Sequence, residues 1–132
     1  MTTYAGSVGW RRLREFAGVE ISRSFVLSWK LERNTLEIDA DVQLLPEHPF
    51  YERPRPRQKA CIRPATIEFP HCVSIRVSGQ DGLSELQSAV DGLGSGAIRD
   101  LERLDEGPYV LSGQFGRVEI DAERPILRLH GP

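Results

Sequence analysis

From Val19 onward, apolar and polar side chains exchange places at nearly every step. Phe25, Leu27, Trp29 and Leu31 fall on one side of an extended chain and Val26, Ser28, Lys30 and Glu32 on the other, the period of a half-buried strand. The next run is cleaner, with Leu36, Ile38, Ala40, Val42 and Leu44 alternating with Thr35, Glu37, Asp39, Asp41 and Gln43. Arg33-Asn34 reads as the two-residue loop of a hairpin, because Asn tolerates the left-handed backbone such loops demand. That register sets Leu31 against Leu36, Trp29 against Ile38, Leu27 against Ala40 and Phe25 against Val42. A slip of one residue would turn the whole apolar set outward.

A second hairpin is expected near the C-terminus. Tyr109, Leu111, Gly113 and Phe115 alternate, as do Val118, Ile120 and Ala122, with Gly116-Arg117 as a Gly-X loop between them. This sets Phe115 against Val118, Gly113 against Ile120 and Leu111 against Ala122. A last strand, Ile126 to His130, returns with Leu127 and Leu129 on the same face, started by Pro125. The segments FVLSWKLERNTLEIDAD and YVLSGQFGRVEIDAE are alike in letters, which fits either a duplication or convergence of two amphipathic hairpins.

Less regular elements lie between. Cys61 to Phe69 places Ala65, Ile67 and Phe69 on one face but contains Pro64 and meets Pro70, which suits an edge strand. Val73, Ile75 and Val77 form another alternating run. Leu83, Leu86, Val90 and Leu93 then recur at three and four, and Ser84 with Gln87 suits a capping box, so one short helix is expected before the glycines of GLGSG. AIRDLERL, residues 97–104, fits strand or helix. At the N-terminus Ser7 is placed to cap a helical turn or two carrying Trp10, Leu13 and Phe16, with Gly18 as its stop.

These elements predict a mainly β chain forming one domain over residues 1–132. It comprises a helical segment at 1–18, a hairpin at 19–45, a Pro/Arg-rich loop at 46–60, strands at 61–78, a helix and Gly-rich loop at 81–96, and a β-meander at 97–132. About seven strands and one or two short helices then form an antiparallel two-sheet sandwich or a small, partly open barrel.

Composition narrows the function classes. Hydrophobic residues make up 39% and charged residues 27% of 132, a soluble composition long enough for one core without metal or disulfide staples. A net charge of −2 argues against a sequence-independent nucleic-acid binder, whose affinity would come from neutralising phosphates. The charged N-terminus lacks the apolar run of a signal peptide, and no stretch is long and apolar enough for a membrane span, so a cytoplasmic protein is expected. Basic side chains are 15 Arg and 2 Lys, which we read as compositional bias.

Three acids two apart, Glu37, Asp39 and Asp41, nearly recur as Glu119, Asp121 and Glu123. Each set lies opposite the apolar face of its hairpin, so the two sets project from different outer surfaces. Carboxylate catalysis needs its two groups within roughly 5–10 Å of one another, so these acids read as solvated faces that discourage stray sheet pairing. His71-Cys72 points to opposite sides of a strand and forms no nucleophile–base pair. Cys61, Cys72, His48, His71 and His130 lack the close ligand pairs of a zinc site, and no metal or cofactor is expected. GLGSG lacks the Lys-Ser/Thr and preceding strand of a phosphate loop.

The odd segment is HPFYERPRPRQKACIRP, residues 48–64. Its prolines deny donors, and in an extended conformation Arg53, Arg55 and Arg57 project to one side, with Phe50 and Tyr51 adding stacking area. That makes it the candidate contact with a protein partner, or a basic crossover covering a sheet edge. A ligand pocket at the mouth of the fold is the alternative, involving Trp29, Arg63, His71 and Cys72. A weak nucleic-acid contact would use Arg53, Arg55 and Arg57 with Arg11, Arg12 and Arg14. An edge strand completed by a second copy would give a homodimer. The leading expectation is a binding module acting by surface contact, and no catalytic residues are assigned.

Overall fold

In the computed structural model, which describes residues 6–78, 85–105 and 107–130, most of the alternating runs become strand. The elements are β1 (Ser7–Gly9), β2 (Val19–Glu32), β3 (Thr35–Leu44), β4 (Cys61–Phe69), β5 (Ser74–Val77), α1 (Leu86–Asp91), β6 (Gly96–Leu104), β7 (Tyr109–Gly113), β8 (Gly116–Asp121) and β9 (Ile126–Leu129). The nine strands, two more than the pattern predicts, form one antiparallel sheet in the order β5-β8-β7-β6-β2-β3-β4-β9. The sheet is not closed, and β1 pairs with β6 off this path. Among the described residues, no helix is long and apolar enough to cross a membrane.

The first hairpin turns where expected. Glu32 pairs with Thr35, and Arg33 and Asn34 take φ of 47° and 64°, the left-handed geometry of a tight two-residue loop. Leu31–Leu36 and Trp29–Ile38 pair as predicted. Beyond them the predicted register fails. Val26 faces Ala40 and Ser28 faces Asp39, leaving Leu27 as the extra residue of a β-bulge. The inward set therefore switches from Trp29 and Leu31 to fully buried Val26, and Phe25 and Leu27 face solvent. A second irregularity opposes residues 21–24 to Val42 alone. Buried Ser24 bridges it, its Oγ donating to the Glu20 carbonyl and accepting from the Gln43 N–H. The disrupted ladder thereby regains partners for its polar groups.

The second hairpin keeps its faces but changes its loop. Gly113 pairs with Gly116, so Gln114-Phe115 is the two-residue connection and Leu111 faces Val118 in place of Ala122. A slip of four residues is even and leaves the apolar set inward. Gly113 is required where β7 meets β6, because a Cβ there would lie 2.2 Å from the Ala97 carbonyl oxygen.

β4 is a central strand and not an edge, flanked by β3 and β9. Pro64 is tolerated because its carbonyl, and hence its nitrogen, faces the β9 side just where pairing ends, at His130 N–H to Pro64 O. Residues 97–104 lie within β6, and a bulge at Arg99 puts Ile98 and Leu101 on one side. That three-residue spacing is what makes the segment look helical.

The expected N-terminal helical segment is of 3₁₀ type, and Ser7 lies in β1 instead of capping it. After β1, Trp10–Arg12 and Arg14–Phe16 are two single 3₁₀ turns, and burial of Trp10, Leu13 and Phe16 follows their period of three. Residues 1–5 lie outside the described structure. α1 begins without a side-chain cap, and Gln87 donates instead to Asp91 one turn on. Ser84 and Leu83, the other halves of the expected cap and stripe, are also outside the described residues.

One core cluster joins the parts of the sheet on both sides of β6. Ile38, Ile67 and Phe69 from β3 and β4 meet Leu111 and Ile120 from β7 and β8, and Phe69 packs edge-to-face on Tyr109 with ring centroids 5.5 Å apart. α1 lies against both β2 and β5, burying Ala89 and Val90.

Candidate functional site

β3 and β4 are joined by sixteen residues, 45–60, a length that compact folds rarely spend on a plain connection. The base of this loop is pinned. Leu45 N–H donates to Gly18 O, His48 N–H to Leu45 O and Tyr51 N–H to His48 O. Gly18, at φ 75°, leaves room for the His48 side chain, whose Cβ would stand 2.9 Å from a Cβ at that position. His48 Nδ1 accepts the Phe50 N–H at 3.0 Å, which requires that nitrogen unprotonated. Burial, and secondarily the Arg63 charge, hold the His48 pKa below its ordinary value. Tyr51 packs on the core, while Phe50 is 60% exposed.

Arg63 closes the anchorage from β4. Its guanidinium donates to the carbonyls of Phe50 and His130, at 3.5 and 3.2 Å, and its Nε is buried without a partner. The tip is different in kind. Arg53, Arg55 and Arg57 are exposed, and among the described residues none forms an ion pair. The extended run ends at a turn, with Gln58 N–H bonded to Arg55 O and Pro56 at its second position. The three arginines therefore do not share one straight ladder, contrary to the expectation for a fully extended segment.

The pocket candidates lie far apart. Trp29 donates its indole N–H to Gly94 O at 2.7 Å and packs edge-on against Phe115. Arg63 stands four residues along β4 from Ile67, whose β3 partner Ile38 also pairs with Trp29. By the strand rise that is roughly 13 Å. His71, at φ 50°, is exposed and lies 3.9 Å from Glu123, whereas Cys72 is buried beside the hairpin loop, its N–H bonded to Asn34 O. Burial pushes the Cys72 thiol up to about 11, which makes it a poor nucleophile. Both cysteines are free, and among the described residues no three His, Cys, Asp or Glu side chains are grouped to hold a metal.

The acids of β3 do lie on the outer face, away from those of β8, with β2, β6 and β7 between the two strands. Asp39 is nevertheless more than a solvated carboxylate. It accepts from Ser28 Oγ at 3.3 Å and from Thr66 Oγ1 at 2.8 Å, and Thr66 Oγ1 lies 2.7 Å from His130 Nε2. A carboxylate only accepts, so the single Thr66 hydroxyl hydrogen goes to Asp39 and His130 donates from Nε2. This chain of bonds, with Thr66 buried, ties β3, β4 and the residue after β9 together. Beside it Arg128 pairs with Glu68. No spacing in the sequence joins residues 39, 66 and 130, and Ser28, Thr66 and Arg128 carry no motif.

The chain matches no family model, no curated protein and no solved structure.

Proposed function

We propose that this chain is a binding module that acts by surface contact with a protein partner through the loop at 46–60. The observation that carries this reading is the contrast within the loop. Its base is held by Gly18, His48 and Arg63, while its tip offers Arg53, Arg55 and Arg57 with no ion pair among the described residues. A rigid scaffold that presents a charged loop is the ordinary arrangement of a recognition site. Guanidinium groups suit carboxylates in particular, since each can bind one through two parallel hydrogen bonds. Phe50 adds an aromatic anchor beside the charges. The fold that goes with this reading is a two-sheet sandwich, in which β6 passes from one layer to the other.

The test is capture from nuclease-treated lysate on immobilised protein, comparing wild type with an Arg53→Ser, Arg55→Ser, Arg57→Ser variant. A protein retained by the first and lost from the second is the expected result. Equal retention by both, or retention only of nucleic acid before nuclease treatment, would overturn the assignment.

A further inference from the structure

The β-bulge at Leu27 has an effect on the outer face of the sheet. It turns Phe25 and Leu27, 41% and 48% exposed, out of the core and sets them beside the acids of β3. Phe25 pairs directly with Asp41, and Ser28, next to Leu27, pairs with Asp39. Glu37 follows two residues on, opposite Lys30, which pairs with Glu32 at 3.2 Å and also lies within the field of the Glu37 and Asp39 carboxylates. Among the described residues, Glu37, Asp39 and Asp41 form no ion pair. An aromatic residue and a leucine thus border an acidic row that stays net negative, with Lys30 as the cation set against Glu32, Glu37, Asp39 and Asp41.

The loop at 46–60 presents the opposite composite. Phe50 is exposed, Arg53, Arg55 and Arg57 form no ion pair among the described residues, and Lys59 adds a fourth cation against Glu47 and Glu52. The chain therefore carries both halves of one complementary contact, apolar groups beside anions and an aromatic beside cations. Opposite potentials of this kind steer association and fix its orientation. Resting on the surface-contact reading above, we infer that a second copy of this chain is the partner, with its 46–60 loop seated on the Phe25, Leu27, Glu37 and Asp41 face. The two patches differ, so the contact is heterologous unless two loops exchange reciprocally about a two-fold axis.

Two reversals test this. Sedimentation of the wild type at low salt is expected to show mass rising with concentration, and less so as salt increases. Arg53→Glu, Arg55→Glu, Arg57→Glu in one variant and Glu37→Lys, Asp41→Lys in another should each be monomeric, and an equal mixture of the two should regain a complex of at least twice the monomer mass. Asp39 is left intact because Thr66 and Ser28 depend on it. Should the lysine variant misfold by circular dichroism, Glu37→Gln, Asp41→Asn takes its place, with at least a several-fold weaker association expected. A wild type that stays monomeric throughout, reversals that associate like wild type, or a mixture that fails to recombine would each overturn the second-copy assignment. If the wild type is monomeric yet the lysate capture succeeds, the loop reading stands and the seat belongs to a different protein.

Discussion

Replacing Gly113 by alanine tests the close approach of β7 to the Ala97 carbonyl of β6. The new Cβ would sit 2.2 Å from the Ala97 carbonyl oxygen and 2.8 Å from the Phe115 ring, whereas ordinary contact begins near 3.4 Å. The ring can swing aside, but the carbonyl belongs to β6 and also accepts the Gln114 N–H at 3.0 Å. Relief requires the strands to part by about 1 Å at the turn. Overpacking of this kind costs about 1–3 kcal/mol, and the weakened hydrogen bond adds about 1 kcal/mol. A loss of about 3 kcal/mol is expected, or a fall in Tm of roughly 10 °C. Gly9→Ala is the control, since nothing lies within 4 Å of its Cβ and its φ of −71° suits alanine. It should gain about 0.5 kcal/mol by restricting the unfolded chain. Urea unfolding followed by far-ultraviolet circular dichroism reads both, with unchanged slopes. Equal midpoints for the two variants would refute the approach of β7 to Ala97.

Three further outcomes follow from the geometry. The Cys72 thiol keeps its proton in the folded chain to about 11 but loses it near 9.0 when unfolded, so its contribution to stability is full below pH 9 and lost as pH rises to 11. Urea midpoints should fall across that window by an amount worth about 2–3 kcal/mol in wild type and far less in Cys72→Ala. His48 resists protonation when folded, so stability should decline as pH falls through about 6.5, and His48→Asn should flatten that decline when midpoints at pH 7 and pH 5 are compared. Trp29→Phe removes the indole bond to Gly94 O and should cost about 1 kcal/mol in the same unfolding assay, with a null effect counting against that bond.

The strands were legible wherever burial alternates without interruption. β3 is the clearest case, and the Arg33-Asn34 turn follows from it because only one loop length matches the apolar pairs. β2 was misread beyond Trp29 because both of its faces are apolar there: Phe25 and Leu27 offer as good an inward set as Val26, and a bulge leaves no mark in composition. The second loop was misplaced because Gln114-Phe115 and Gly116-Arg117 give two turns with identical faces. Trp10, Leu13 and Phe16 fit an α-helical stripe and a 3₁₀ turn equally, and backbone hydrogen bonding decides between them. Of the candidate site, the unusual loop was visible through its prolines and arginines. Its anchoring by Gly18 and Arg63 was not, since the Gly18 contacts with Leu45 and His48 and the Arg63 bonds to Phe50 and His130 join residues 13 to 67 apart, and neither was the Asp39, Thr66 and His130 chain.

The joint at β6 has a mechanical consequence. Only two residue pairs, Phe25–Ala97 and Val26–Gly96, carry backbone pairing between β2 and β6. On one side β2, β3, β4 and β9 form a long ladder, and on the other β5, β8, β7 and β6 form another. Separating the two requires breaking few hydrogen bonds but exposing much apolar surface, so the seam resists cold and urea less well than it resists competition from water for hydrogen bonds. Amide protons at the centres of both ladders should consequently exchange with one shared limiting protection, since neither ladder keeps the common core covered once the other leaves.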